Sequence, residues 1–61
     1  MTIQQARKAL PKFAKSLAPE AKTVAELRGA VMDELNACRR GENPLEPMQI
    51  ERFGEWLAET K

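Results

Sequence analysis

Between Thr23 and Gly41 the chain reads TVAELRGAVMDELNACRRG, a stretch bracketed at both ends by residues that start and stop an α-helix. Thr23, followed three residues later by Glu26, matches the capping box, in which each side chain satisfies an amide left free at the helix start. Val24, Leu27, Val31, Leu35 and Cys38 then recur on one narrow face. Arg39 and Arg40 sit where the helix dipole favours cations, and Gly41 supplies a left-handed stop. The stretch predicts a helix over 24–40. Gly29 is its one discordant residue, costing about 1 kcal/mol relative to alanine at an exposed helical position.

Two more segments carry the same period. Ile3, Ala6, Leu10, Phe13, Ala14 and Leu17 fall on one side of a helix, within a sector of roughly 100°, and Thr2 with Gln5 forms another capping box. Pro11 interrupts this segment. A proline inside a straight helix removes a donor and clashes with the preceding turn, at about 3 kcal/mol. The apolar stripe keeps its phase across Pro11, so the spacing predicts one helix over about 3–17, kinked at Pro11 and ended by Pro19, in preference to a second helix opening at Pro11. After Gly41, the run GENPLEP is dense in turn residues. Pro47 would break a helix begun at Asn43, so the third helix is expected over 47–59. Its buried stripe is read as Ile50, Phe53 and Leu57, with Trp56 about 60° to one side.

No segment alternates with a β period, and neither an internal repeat nor a low-complexity tract is visible. The fold class expected is all-α: a single domain over 1–61, either a small three-helix bundle or an open three-helix arrangement. A chain of 61 residues buries only about 60% of its unfolded surface. Such a monomer is marginal, which makes a homodimer or a binding partner an expectation from size alone.

The chain has no histidine, no tyrosine and one cysteine. Acid–base and nucleophilic catalysis therefore lose their commonest players. Cys38 lies on the apolar stripe with no histidine to ionise it and reads as a small buried hydrophobe. The carboxylate neighbours Asp33 with Glu34, and Glu51 with Glu55, read as hydrated surface. There is no phosphate loop, metal-ligand spacing or cofactor signature. The sequence is thus expected to belong to a non-enzyme with no catalytic residue, metal or cofactor. A lone cysteine fits a reducing compartment, and no apolar run reaches the length of a signal peptide or a membrane span. The reading is a complete small cytoplasmic protein beginning at its own methionine.

Charge is unevenly spread. Residues 1–22 hold five basic residues against one acidic, a balance of +4, while the remainder holds five basic against eight acidic, a balance of −3. On a continuous first helix Lys8, Lys12 and Lys15 would form a ridge opposite the apolar stripe, with Arg7 beside it, a candidate for holding nucleic-acid phosphates. The ridge has no interleaved aromatic, and the acidic row Glu51, Glu55 and Glu59 on the last helix would repel phosphates. With every stripe buried, the lysine and glutamate rows face away from each other and meet only between molecules. The lysine helix could also adsorb to an anionic membrane, but its stripe is needed for the core.

The candidate partner-binding residues are Trp56, Phe53, Gly29, Met32 and Gly54. Ala25, Gly29, Met32 and Asn36 form a shallow strip on the second helix, as Gly54 and Ala58 do on the third, and small residues four apart let helices approach closely. Trp56 is read either as a cap on the core or as an interface anchor. The function expected is a small interaction module or regulator that binds another protein, with homodimerisation as a further expectation. The alternative is a nucleic-acid-binding accessory protein using Arg7, Lys8, Lys12 and Lys15, with Arg39 and Arg40 in support. Phages and plasmids supply an analogy for regulators of this length.

Overall fold

The computed structural model describes residues 1–61 and is all-helical. Three α-helices, α1 (Ile3–Ala9), α2 (Val24–Arg39) and α3 (Pro47–Glu59), are joined by irregular segments, with a 3-10 turn at Lys12–Ala14 after α1.

The first helix is shorter than its periodicity implies, and the expected helix over 3–17 does not form. Thr2 caps α1 as expected: the Gln5 amide donates to Thr2 Oγ1 at 3.2 Å, and the Thr2 amide donates to Gln5 Oε1 at 2.9 Å. The helix then stops instead of kinking. Leu10 is extended (φ −60°, ψ 146°), and so is Pro11 (φ −57°, ψ 153°). The cause is local, because the proline ring drives the residue before it out of the helical region. A continuous helix would also leave the Arg7 carbonyl without its donor, since residue 11 has no N–H. In the break the Leu10 amide turns to that carbonyl at 3.2 Å.

From Lys12 to Thr23 the chain forms an arm of successive turns that still buries Ala14 and half-buries Leu17, Ala18 and Ala21. Ala18 is left-handed at φ 48°, a conformation that costs a residue with a Cβ roughly 1–2 kcal/mol. The Arg7 guanidinium holds the turn: Nη1 donates to the carbonyls of Leu17 (2.9 Å) and Lys15 (3.2 Å), and Nη2 to that of Ala18 (2.7 Å).

The second helix begins and ends where its sequence signals it, although only one half of the expected capping box forms. The Glu26 amide donates to Thr23 Oγ1 at 3.1 Å, and the Thr23 hydroxyl in turn donates to the Glu26 carboxylate at 3.3 Å. At the other end Gly41 is left-handed (φ 79°); its amide donates to the Cys38 carbonyl, and the Glu42 amide donates to that of Ala37. This is the Schellman closure that a glycine after the last turn makes possible. Pro47 opens α3 at its first position, where a missing N–H costs nothing.

Helices α2 and α3 run antiparallel. Near the start of α2, Arg28 Nη1 donates to the Leu57 carbonyl (2.6 Å) and to Thr60 Oγ1 (2.8 Å), while near its end Cys38 Sγ accepts from the Leu45 amide at 3.4 Å. No cation lies in the last turn of α3; Arg28 supplies one from the neighbouring helix, at the negative end of the dipole. The core consists of Ala6, Leu10, Ala14, Leu27, Val31, Phe53 and Trp56. It is sewn across the chain by Trp56, whose indole Nε1 donates to the Ala6 carbonyl at 2.8 Å. That carbonyl is free because α1 ends two residues before Pro11, so the break at the proline creates the acceptor for the tryptophan.

Candidate functional site

The N-terminal cations do not form a ridge. With α1 ending at Ala9, Lys12 and Lys15 no longer share a helical face with Lys8. Arg7 is half-buried and committed to three carbonyls, and the Lys15 ammonium donates to the Lys8 carbonyl. Lys8 and Lys12 are exposed. Arg39 and Arg40 lie at the far end of α2, and Arg40 makes the one ion pair of the chain, with Glu42. Of the row read from Arg7, Lys8, Lys12 and Lys15, the fold keeps Arg7, Lys8 and Lys15 together on one open cleft of about 450 Å³ with Gln4, while Lys12 turns to the crossing with α3; Arg7 and Lys15 spend donors on backbone carbonyls.

The expectation that lysine and glutamate rows meet only between molecules is also corrected. The turn at Pro11 redirects the arm over α3, where Lys12 and Lys15 line one cleft of about 350 Å³ together with Arg52, Glu55, Glu59 and Trp56. A second cleft of about 340 Å³ shares Pro11, Lys12 and Arg52 with the first and adds Phe13, Glu46 and Met48.

The five partner-binding candidates divide. Trp56 and Phe53 are each 2% exposed and belong to the core, and of the two only Trp56 reaches a surface cleft, in the wall beside Lys12 and Arg52. The buried stripe of α3 is centred between them, which rotates Ile50 outward to 42% exposure, contrary to the stripe read from spacing. Met32 is 51% exposed, Gly54 is exposed and Gly29 is half-exposed. A Cβ built at Gly29 or at Gly54 would meet nothing within 4 Å, so neither glycine is there to let this chain's own backbones approach. Beside Gly54 a groove of about 280 Å³ runs along the α2–α3 seam, lined by Leu35, Cys38, Arg39 and Ile50.

Cys38 is half-buried with its sulfur against the Leu45 amide, on the wall of that groove. No group of three cysteine, aspartate or glutamate side chains converges in a way that could hold a metal ion, and no helix is long and apolar enough to cross a membrane. Sequence reasoning missed Arg28 and Thr60, which join the ends of α2 and α3, and the convergence of Lys12 with Arg52. None of these has a local signal, since each depends on where the arm crosses. Comparison with models of protein families, with curated proteins and with solved structures finds no match to this chain.

Proposed function

We propose that this chain is a non-enzymatic protein-interaction module whose α2–α3 seam takes the apolar edge of a helix from another protein. The carrying observation is that Ile50, 42% exposed, lines a groove with Leu35, Cys38 and the open backbone of Gly54, and that Met32, 51% exposed, stands one helical turn before Leu35 on α2. Methionine beside small residues suits such an edge, because the thioether adapts to the partner and the missing side chain admits it closely. Pairing of two copies through the same seam would make the module a homodimer.

A Gly54→Arg variant separates binding from folding, since the new side chain enters open space. The expected result is wild-type helicity by circular dichroism together with loss of a partner captured by the wild-type chain. Retention of that partner by the variant would count against the seam. Sedimentation over a concentration series tells a second copy from a foreign helix, a concentration-independent 6.9 kDa species excluding the homodimer. The nucleic-acid reading would be favoured instead by duplex or single-stranded DNA binding that weakens steeply with salt.

A further inference from the structure

We infer that the groove where the N-terminal arm crosses α3 is a second docking site, for a peptide segment carrying one carboxylate beside an apolar side chain, with basic residues on both flanks. The inference stands apart from the α2–α3 seam and uses none of its residues.

The two clefts at this crossing have Pro11, Lys12 and Arg52 as common lining, so the channel here consists of two adjoining clefts. Lys12 comes from the arm and Arg52 from α3. Neither takes part in the chain's one ion pair, which lies between Arg40 and Glu42. Two cations from different elements, facing one channel and unpaired, suit a single carboxylate, which an arginine engages through a planar two-donor fork.

Beside them lie Met48 and Phe13, 71% and 46% exposed. The Phe13 ring is held in place by edge packing on the buried Phe53 ring, with centroids 5.2 Å apart and planes at 74°. A fixed aromatic face next to a flexible thioether is a seat for an apolar side chain at low entropic cost.

The acids decide the class of partner. Glu46 lines the Phe13 end, and Glu55 with Glu59 lines the other beside Lys15, whose ammonium is held by the Lys8 carbonyl, so carboxylates stand on both sides of the shared cations Lys12 and Arg52. A nucleic acid, with a phosphate at every step, would meet repulsion at both ends. A peptide with the reciprocal pattern, basic, acidic, basic, meets attraction throughout.

The test uses a labelled peptide with a central glutamate–leucine pair between two lysine pairs, followed by fluorescence anisotropy at low salt. Emission of Trp56, the chain's one tryptophan and part of the channel lining, serves as a second readout. Binding is expected, with a change in Trp56 emission. Replacing the peptide glutamate by glutamine, or making Arg52→Gln or Lys12→Gln in the protein, should each weaken it about tenfold, the size of one charge-assisted hydrogen bond. Met48→Ala should weaken it as well, whereas Gly54→Arg on the seam should leave it unchanged. Equal affinity for the glutamine peptide, indifference to both Arg52→Gln and Lys12→Gln, or tighter binding of single-stranded DNA than of the peptide would each overturn the proposal. These side chains are exposed, so circular dichroism of the variants should match the wild type.

Discussion

Trp56 shows how one side chain acquires a role that its position on a helical wheel does not reveal. Its indole donates to the Ala6 carbonyl, an acceptor that exists only because Pro11 ends α1 early. Replacing it with phenylalanine keeps most of the apolar contact but strands that carbonyl in the core, at a cost of about 1–3 kcal/mol. Urea unfolding of Trp56→Phe should show this loss, and an unchanged midpoint would mean that water satisfies Ala6 from outside. Arg7 and Ala18 form a second such pair. The guanidinium holds a turn containing a left-handed alanine, so Ala18→Gly removes roughly 1–2 kcal/mol of strain and gives back up to about 1 kcal/mol in unfolded-chain entropy. The expected result is a higher melting temperature for Ala18→Gly and a lower one for Arg7→Met, which loses three bonds to carbonyls.

At the scale of elements, α2 and α3 were legible because their boundaries are written locally. Thr23, Gly41 and Pro47 each act within one turn of themselves, and the helices begin and end beside them. The end of α1 was not legible, because the apolar stripe through Leu10, Ala14 and Leu17 keeps helical phase even though the backbone does not. Those side chains still meet the core from an irregular arm, whereas Phe13, read into the same stripe, is 46% exposed, so the periodicity recorded burial correctly for all but Phe13 and conformation wrongly. The candidate surface was half legible for a related reason: small residues mark the seam, but whether Trp56 or Ile50 faces outward depends on the rotation of α3 against an arm whose path was unknown. Gly29 and Gly54 give a prediction. In open space, Gly29→Ala and Gly54→Ala should each raise stability by about 0.5–1 kcal/mol. If the seam receives a helix, Gly54→Ala should weaken binding while it stabilises the fold. A stability gain with undiminished binding would assign Gly54 no part in docking.

The whole molecule is small for the work its core must do. Seven buried hydrophobic residues, two of them aromatic, carry a chain of 61, and domains of this size leave a narrow margin over conformational entropy. Apart from Met1, the large exposed apolar side chains are Ile50 on the seam, Met32 one turn before Leu35 on α2, and Phe13 with Met48 at the arm crossing. Covering the seam or the crossing adds burial that the monomer lacks, so association and stability should be coupled by mass action. If two copies meet at the seam, the melting temperature of the wild-type chain should rise with protein concentration, and Gly54→Arg should remove that dependence without lowering the value reached at high dilution. The arm crossing separates itself when the melting is repeated with the lysine-flanked glutamate–leucine peptide present. Its lining is charged, so the stabilisation by the peptide should fade as salt is raised, whereas burial at the apolar seam should persist. A melting temperature independent of both concentration and Gly54→Arg would show that the isolated chain does not cover its own seam, leaving a foreign helix as the seam's occupant.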